Sequence, residues 1–330
     1  MDISVVVPVY QEEDSVGPLC ERLHESLSAG SRSYEIILVD DGSSDRTWER
    51  MVAAAERYPH FVLLRFRRNF GQTAAMSAGF DRARGDVVVT LDADLQNDPA
   101  DIPLLLERME DGVDVVSGWR KDRKDTFINR RLPSILANAL ISRITGVALH
   151  DYGCTLKAYR REVIKNVRLY GEMHRFIPAL ASWVGGRVAE VVVRHHPRRF
   201  GKTKYGISRT FRVILDLMTV KFLLRYSTGP MQMFGKIGAM FTVPGLLLLG
   251  FIFAAHLSFR LFGTEFAAEL VKRPAWLMSA FMLIFLGMQF FSIGLLAEVQ
   301  TRTYHESQSK PVYVLREIRE PGPDVGSKPA

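Results

Sequence analysis

Two carboxylates separated by one residue, Asp92 and Asp94, directly follow an apolar run at residues 86–91. The run is short and rich in valine, which is typical of a strand covered on both faces of a parallel sheet. If the chain stays extended, both side chains project to one side beyond the strand's carboxyl end, where open α/β sheets bind ligands. Two convergent carboxylates need a cation, and a divalent ion bridged to substrate phosphates is usual in nucleotide chemistry. An isolated Asp-x-Asp sequence is more often a solvated turn, so the rest of the sequence must distinguish a turn from a cation site.

Short apolar runs alternate with stretches of helical periodicity through the N-terminal third of the chain. We predict strands at residues 3–9, 34–39, 61–66 and 86–91, and helices at residues 12–27, 47–58 and 73–83. This alternation is typical of βαβ units. It predicts an α/β fold with a doubly wound, mostly parallel sheet.

Polar residues also follow the first two predicted strands. Tyr10 and Glu12 come after the first strand, and Asp40 and Asp41 come after the second. The carboxyl ends of parallel strands lie along one edge of a sheet. We therefore expect these residues and Asp92 to form a single site, although residues 40–45 taken alone are more often a turn with a helix N-cap.

Several function classes are disfavoured by what the sequence lacks. There is no Gly-x-Gly-x-x-Gly after the first strand and no Gly-Lys-Ser/Thr loop, which argues against dehydrogenases and P-loop phosphotransferases. Cys20 and Cys154 lie far apart and do not make a disulfide framework, which fits a reducing compartment. The formal net charge of +7 indicates an anionic partner without identifying it. The N-terminus runs straight into a strand pattern, so we expect no signal peptide.

Four ordered motifs resemble those of the inverting family 2 glycosyltransferases, whose catalytic domain has the GT-A fold. They are Val7-Pro8-Val9-Tyr10-Gln11-Glu12, Val39-Asp40-Asp41-Gly42-Ser43, Arg68-Asn69-Phe70-Gly71-Gln72 and Leu91-Asp92-Ala93-Asp94-Leu95-Gln96. The likeness covers roughly residues 1–230. Within the family, the chain resembles the polyprenyl-phosphate glycosyltransferases, which include dolichyl-phosphate mannose synthase. Residues 150–161 and 176–180 look most like the bacterial undecaprenyl-phosphate formamidoarabinose transferase branch.

The resemblance implies roles for the residues at the predicted strand ends. It implies that a nucleotide-sugar donor is held by Pro8, Tyr10, Glu12, Asp40, Asp41, Asp92, Gln96 and Arg120. It also implies that Mg²⁺ or Mn²⁺ is held by Asp92, Asp94 and Gln96. The chemistry agrees, because a divalent cation neutralises the charge that develops on a nucleotide diphosphate leaving group. For Arg120, the alternative is a solvated charge in the basic segment 120–124.

A second set of residues is implied on the acceptor side. Residues 198–205 resemble the family's Arg-x-x-Gly-x-Ser-Lys-Tyr segment, with Thr203 in place of the serine. We expect Arg198, Lys204 and Arg131 to bind the acceptor phosphate. Asp151 lies in a segment that resembles the family's Asp-x-Gly signature, and we expect it to orient the acceptor or remove a residual proton. Its alternative is a turn or N-cap acid before Gly153.

The C-terminal part of the chain has the pattern of a membrane-bound protein. Residues 207–233 form amphipathic segments suited to a membrane interface. Residues 234–299 contain two uncharged apolar stretches, 237–259 and 275–297, each long enough to span a bilayer as a helix. Basic residues before the first stretch and after the second predict that both ends are cytoplasmic. We expect residues 1–206 to form the catalytic domain and residues 300–330 a cytoplasmic, partly disordered tail.

These observations predict an inverting glycosyltransferase that moves a sugar from a nucleotide sugar to a polyprenyl phosphate at the cytoplasmic face of the inner membrane. By likeness to the family we expect a UDP-linked donor, an undecaprenyl phosphate-like acceptor, a homotetramer and no nucleic-acid partner. One alternative is a membrane-tethered nucleotide-sugar sensor without turnover, which would not need Asp151, Arg198 and Lys204. Another is a processive polysaccharide synthase, which typically carries Gln-x-x-Arg-Trp, but no tryptophan in this chain follows an arginine.

Overall fold

The computed structural model describes residues 1–121, 132–167, 169, 173–197, 217, 230–263, 273–307 and 313–320. The chain divides into two compact units. One unit is formed by residues 1–220 together with 311–330, and the other by residues 221–310.

The first unit is built on one mixed sheet flanked by helices. Its strands are β1 (Ile3–Val9), β2 (Tyr34–Asp40), β3 (Phe61–Phe66), β4 (Val87–Thr90), β5 (Val115–Trp119), β6 (Lys157–Arg160), β7 (Val188–Val192) and β8 (Leu315–Arg319). Its helices are α1 (Val16–Ser28), α2 (Thr47–Arg57), α3 (Gln72–Arg82), α4 (Ile102–Glu110), α5 (Leu132–Thr145), α6 (Arg161–Ile164) and α7 (Ile177–Trp183). Within the described part of the chain, the sheet has eight strands in the order β7-β5-β6-β4-β1-β2-β3-β8.

The four strands β4, β1, β2 and β3 form the parallel block that the sequence predicts. All seven residues of β2 are buried, because helices cover both faces of the block and its apolar side chains are removed from water on each side. In the register, Val9 of β1 pairs with Asp40 of β2, and Val6 of β1 pairs with Thr90 of β4. The carboxyl ends of β1, β2 and β4 therefore lie together at one edge, as predicted.

Helix α3 packs close to the sheet at a glycine. A Cβ atom on Gly79 would lie 2.2 Å from Cγ1 of Val6, so only a hydrogen fits at this position. The buried side chains of the helix include the small Ala75 and Ala78 as well as the larger Met76 and Phe80. This close approach places the N-terminus of α3, at Gln72, beside the carboxyl edge of the sheet.

The rest of the sheet departs from the parallel pattern. Strand β6 runs antiparallel to both β4 and β5, whereas β7 runs parallel to β5. Residues 122–131, which include part of the basic segment 120–124, lie outside the described residues. The predicted parallel pairing is confirmed for β4, β1, β2 and β3, and the antiparallel pairs of β6 and β8 make the whole sheet mixed.

The predicted tail contributes a strand to the sheet. Residues 315–319 form β8, which pairs antiparallel with β3 at the edge, so residues beyond the predicted boundary at 206 also contribute to the sheet. Tyr313 donates a hydrogen bond to Asp81 (2.9 Å), and its ring stacks on Phe66 at a centroid distance of 5.3 Å. The guanidinium of Arg319 lies over the ring of Trp48. Residues 321–330, which we expected to be disordered, lie outside the described residues.

The second unit contains two long helices, α8 (Pro230–Phe262) and α9 (Pro274–Ser307). The segments Met231–Phe262 and Pro274–Ala297 are long and apolar enough to cross a membrane, and they contain both predicted spans. The helices approach closely through small residues, since a Cβ on Gly287 would lie 2.7 Å from the carbonyl oxygen of Gly238. Large apolar side chains such as Leu247, Phe253 and Met282 are about 70% exposed on this unit. Of the predicted interfacial segment 207–233, only residues 217 and 230–233 are described.

The tail strand gives a first prediction. A chain ending at residue 312 lacks β8, so β3 loses its edge partner and the Tyr313–Phe66 stacking. We expect the loss to cost about 2 kcal/mol, or roughly 4–8 °C in the Tm of the catalytic unit. Near-UV circular dichroism of the detergent-solubilised protein measures the change. A chain ending at residue 320 is the matched control, and equal Tm values for the two truncated proteins would contradict the prediction.

Candidate functional site

The two acidic residues at the end of β2 hold the edge of the site together. Asp40 is fully buried; its Oδ1 accepts a hydrogen bond from the backbone of Ser43 (2.9 Å), and its Oδ2 lies 3.3 Å from Nε of Arg65. That Oδ2 accepts no hydrogen bond from the described residues, so an ion pair balances its charge without satisfying its lone pairs. An additional donor would complete this carboxylate.

Asp41 holds the loop between β3 and α3. Its two carboxylate oxygens accept hydrogen bonds from the backbone of Phe70 (2.6 Å) and Gly71 (2.9 Å). Burial raises the pKa of Asp41 to about 6, although the two backbone hydrogen bonds oppose that effect. Both carboxylate oxygens accept hydrogen bonds from the protein backbone, so Asp41 supports the loop at the edge of the site.

The turn after Asp41 depends on a glycine. Gly42 has φ of +71°, and a Cβ there would lie 2.5 Å from the backbone carbon of Arg68. Both the left-handed conformation and the close approach exclude a side chain. Ser43 then joins the turn to the end of β1, because its hydroxyl accepts from the backbone of Gln11 (2.9 Å).

The polar residues after β1 line the same edge. Pro8 lies within β1 opposite Val39, where its missing N–H and fixed φ fit a strand end. Tyr10 is 36% exposed and is the most accessible aromatic ring among these predicted donor residues. Glu12 accepts a hydrogen bond from the hydroxyl of Ser15 (2.5 Å), and its backbone donates to Thr47 (2.9 Å).

The two carboxylates after β4 lie close enough to interact electrostatically. Asp94 is buried and accepts from the backbone of Gln96 (3.1 Å), while Asp92 accepts from Nε2 of Gln72 (2.7 Å). Burial first, and the neighbouring charge of Asp94 second, raise the pKa of Asp92 to about 6. Leu95 has φ of +60°, which turns the chain back so that Gln96 approaches Asp94.

This pair fits a divalent cation that shares its ligands with a substrate. The described residues contain no group of three or more His, Cys, Asp or Glu side chains arranged around one point. Two repelling carboxylates favour a positive ion between them, and Mg²⁺ completes its shell with water and substrate phosphates rather than protein alone. Asp92 and Asp94 are therefore the residues here that could hold such an ion together with a substrate.

The structure joins Arg120 to Asp151. The family resemblance implies a donor-binding role for Arg120 and an acceptor-side role for Asp151. Nε and Nη2 of Arg120 donate to the two oxygens of Asp151 at 2.7 and 3.0 Å, and the side chains are only 11% and 5% exposed. Burial acts to lower the pKa of Arg120, but the hydrogen bonds and charge of Asp151 outweigh it and raise that pKa. Asp151 also accepts from the backbone of Gly153 (3.1 Å), so the turn expected as its alternative role is present too.

A small polar cavity opens beside Asp92 and contains residues that sequence reasoning did not single out. Its lining includes Gln72, Asp92, Lys157, His174 and Arg175. Gln72 and Lys157 lie inside segments quoted for the family resemblance, which is the signal that could have found them. His174 and Arg175 have no such signal, because residues 173–176 form a short 3₁₀ turn that only the tertiary fold brings to the site.

His174 is a fixed, neutral member of this cavity. Its Nδ1 is 2.9 Å from the hydroxyl of Thr73 on α3. Burial, with the charges of Arg175 and Lys157, lowers the pKa of His174 to about 3. The imidazole is therefore uncharged at neutral pH and joins the 3₁₀ turn to α3.

The predicted acceptor residues cannot be placed in this geometry. Arg131, Arg198 and Lys204 all lie outside the described residues. Their proposed role rests on sequence resemblance alone.

Comparison with protein families identifies one matching model. Residues 4–168 match the model described as Glycosyl transferase family 2. This range covers the strand-end residues, Arg120 and Asp151.

Two curated relatives match almost from end to end. Dodecaprenyl-phosphate galacturonate synthase of Rhizobium johnstonii is 46% identical, over 96% of this chain and 93% of the relative. Undecaprenyl-phosphate 4-deoxy-4-formamido-L-arabinose transferase of Edwardsiella ictaluri is 41% identical, over 96% of this chain and 94% of the relative. Both alignments therefore extend through the two apolar helices.

A solved structure shares the fold of the sheet-containing unit. Glucosyl-3-phosphoglycerate synthase from Mycobacterium tuberculosis, in complex with Mn²⁺ and UDP-glucose, has a TM-score of 0.53 and 18% identity, over 67% of this chain and 78% of that one. At this identity the likeness shows the fold alone.

The turn at Gly42 gives a second prediction. Gly42→Ala must adopt a left-handed backbone and displace the chain at Arg68, so we expect a loss of about 2–4 kcal/mol in the free energy of unfolding. Chemical denaturation followed by circular dichroism measures it. Gly17→Ala is the matched control, because nothing lies within 4 Å of its Cβ position and alanine favours helix α1. Equal losses in the two variants would contradict the close approach.

The raised pKa of Asp92 gives a third prediction. The proton must leave before the carboxylate binds a metal, so we expect Mn²⁺ affinity to fall below about pH 6. In the metal-free protein the folded pKa lies above the ordinary value of 3.8, so this group makes stability fall as pH rises from about 4 to 6. Thermal unfolding between pH 5 and 8 is measured with and without Mn²⁺. It tests the pH dependence of the Mn²⁺ affinity and the pH dependence of the stability of the metal-free protein. Asp92→Asn should abolish the response, and equal affinity at pH 5 and pH 7 would contradict the assignment.

Proposed function

Since the chain belongs to glycosyl transferase family 2, we propose that it is an inverting enzyme that transfers a sugar from a nucleotide sugar to a polyprenyl phosphate. The observation that carries this proposal is the match to two polyprenyl-phosphate sugar transferases over more than nine-tenths of each chain. The chain is a glycosyltransferase. We infer the lipid acceptor from relatives whose alignment covers the apolar helices as well as the sheet-containing unit.

The edge formed by β1, β2 and β4 is proposed to bind the nucleotide. Tyr10 offers an exposed ring for stacking, and the buried Oδ2 of Asp40 has lone pairs that a base imide could satisfy after a small local rearrangement. The shape of this edge is set by Pro8, Glu12 and Asp41. We propose UDP as the nucleotide, in line with the UDP-glucose bound by the structural neighbour.

Asp92, Asp94 and Gln96 are proposed to hold Mg²⁺ or Mn²⁺ together with the donor diphosphate. When bound, the ion supplies positive charge where the leaving diphosphate becomes more negative. Gln72 holds one oxygen of Asp92, which fixes the direction of the carboxylate. The Mn²⁺ in the structural neighbour supports this choice of cation.

The acceptor nucleophile is a phosphate oxygen, and this changes what is needed from the protein. A phosphomonoester is already largely anionic at neutral pH, because its second pKa is about 6. In-line attack then requires positioning more than proton removal. We propose that Asp151 acts by fixing the guanidinium of Arg120 toward the diphosphate, since both oxygens of Asp151 are bound to Arg120.

The acceptor is proposed to reach this edge from the membrane. Its phosphate would be bound through charge-assisted hydrogen bonds from Arg131, Arg198 and Lys204. The helices α8 and α9 would span the bilayer with both termini cytoplasmic, by the distribution of Lys and Arg. A homotetramer is a further expectation from family resemblance.

A membrane assay tests the proposed function. Membranes containing the protein are incubated with undecaprenyl phosphate and a panel of radiolabelled nucleotide sugars, and organic-extractable label is counted. We expect label from one UDP-sugar and at least a hundredfold less from Asp94→Asn membranes, the order of loss when one electrostatic contact to the leaving group is removed. A nucleotide-sugar sensor would bind donor without labelling lipid, and a processive synthase would label insoluble polymer; either result would reject the proposal.

A double-mutant cycle gives a further prediction about Arg120 and Asp151. Asp151→Leu or Arg120→Met alone leaves one buried charge without its partner, which we expect to cost about 3–5 kcal/mol of stability. The double variant Arg120→Met/Asp151→Leu should recover most of that stability. Turnover should remain lost in all three variants if the pair acts on the substrates. Turnover that returns together with stability would show that the pair is only structural.

A further inference from the structure

The segment that follows β7 binds the loop that carries the proposed metal ligands. Its backbone forms an isolated antiparallel bridge between His195 and Asn97, and the amide of His196 donates to the carbonyl oxygen of Gln96 (2.9 Å). Asn97 is also held by its side chain, because its Nδ2 donates to Oγ1 of Thr155 (2.9 Å). The backbone position of Gln96, a proposed ligand of the cation, is therefore fixed by residues that are distant in the sequence.

An arginine at the start of this segment binds the other end of the same loop. The backbone N–H of Arg194 donates to Oδ2 of Asp101 (2.7 Å), and its Nε donates to Oδ1 (2.8 Å). Nη2 of Arg194 also lies 2.8 Å from Oδ1. An exposed ion pair contributes little to stability, but Asp101 is buried, and a buried carboxylate that loses its partner is strongly destabilising. Arg194 therefore fixes the place of Asp101.

The same arginine also reaches Asp98, which lies between Gln96 and Asp101 in the loop. Nη1 of Arg194 lies 3.5 Å from Oδ2 of Asp98, and Nε2 of His196 lies 3.0 Å from that oxygen. The loop is thus bound at three positions, residues 96, 98 and 101, by two residues of the segment after β7.

The backbone between Asp94 and Gln96 needs such external support. Leu95 has φ of +60° and its side chain is buried. A left-handed backbone is unfavourable for leucine, and it persists only where the surrounding structure imposes it. The buried side chain of Leu95 constrains one side of Gln96, and the contacts of Arg194 and His196 constrain the other. The relative placement of Asp94 and Gln96 therefore depends on tertiary contacts rather than on local conformational preference.

Resting on the proposed function, we propose that Arg194 is a positioning residue for the bound cation, acting through Asp98 and Asp101 on the place of Gln96. Mg²⁺ demands near-ideal placement of its ligands. Replacing a residue that orients metal ligands typically weakens metal affinity about 10- to 100-fold. A direct electrostatic effect of Arg194 would have the opposite sign, because removing a nearby positive charge strengthens the binding of a cation. The direction of the change in affinity therefore distinguishes positioning from electrostatics.

Arg194→Met tests this inference, with Arg84→Met as the matched control. Arg84 donates its backbone N–H and its Nε to the two oxygens of Glu35 (2.8 and 2.9 Å). The side chains of Arg84 and Glu35 are 55% and 2% exposed, close to the 57% and 4% of the pair at the metal loop. Glu35 lies opposite Ser4, near the amino end of β1, so the control pair is at the other edge of the sheet from the candidate site.

Isothermal titration calorimetry of the full-length protein, with UDP in excess and below the Tm of every variant, measures the Kd for Mn²⁺. We expect Arg194→Met to weaken Mn²⁺ binding about tenfold or more. Arg84→Met should bind Mn²⁺ as wild type does, although both variants lower the Tm. If a methionine variant does not fold, Arg194→Lys and Arg84→Lys carry the comparison, because lysine keeps the carboxylate paired but lacks the guanidinium fork. Arg194→Lys should then weaken Mn²⁺ binding less than tenfold but measurably, and Arg84→Lys should not weaken it.

Other results would overturn the inference in distinguishable ways. Unchanged or tighter Mn²⁺ binding in Arg194→Met would reject the positioning role and leave the proposed function intact. Equal weakening in Arg194→Met and Arg84→Met would show a general loss of structure and would reject it as well. A wild-type protein that binds no Mn²⁺ would reject the metal site together with this inference. Mn²⁺ binding that depends on Arg194, without any lipid product in the membrane assay, would support the inference and reject the proposed function.

Discussion

The hydrogen-bonded register between β1 and its two parallel neighbours is the constraint on which the site depends. Val9 is opposite Asp40, and Val6 is opposite Thr90, so the chain leaves three adjacent strands at nearly the same height. Polar groups that are far apart in sequence then meet at one edge, where their charges interact. A slip of one residue in either pairing would turn every side chain of that strand to the opposite face and separate the groups.

The electrostatics of this edge follow from its burial. Asp41 and Asp92 both have a pKa of about 6, because burial disfavours their charged forms. Asp41 is compensated by backbone hydrogen bonds, Asp92 accepts a hydrogen bond from Gln72, and Arg120 and Asp151 compensate each other. Lys157, in the lining of the cavity beside Asp92, is held by the backbone carbonyls of Tyr152 and Cys154.

The site is also connected to the far end of the chain. Tyr313 stacks on Phe66, and Phe66 contacts Phe70 edge to face. The backbone of Phe70 in turn donates to Asp41. The segment that follows α9 thus packs against residues that support the loop at the edge of the site. This contact is a physical reason for the tail to return to the sheet, although the candidate site is formed by other strands.

Local pattern alone determined the parallel block, because strands buried on both faces are continuous apolar runs and their ends are marked by Asp, Gly and Ser. The spacing of two between Asp92 and Asp94 led us to expect that they project to one side; in the structure the charge of Asp94 raises the pKa of Asp92. The antiparallel insertion of β6, the addition of β8 and the meeting of Arg120 with Asp151 join residues distant in sequence, and no local period encodes such contacts. The same holds for the cavity: Gln72, Lys157 and His174 lie on three separate segments of the chain, and only the tertiary structure brings them into one lining with Asp92.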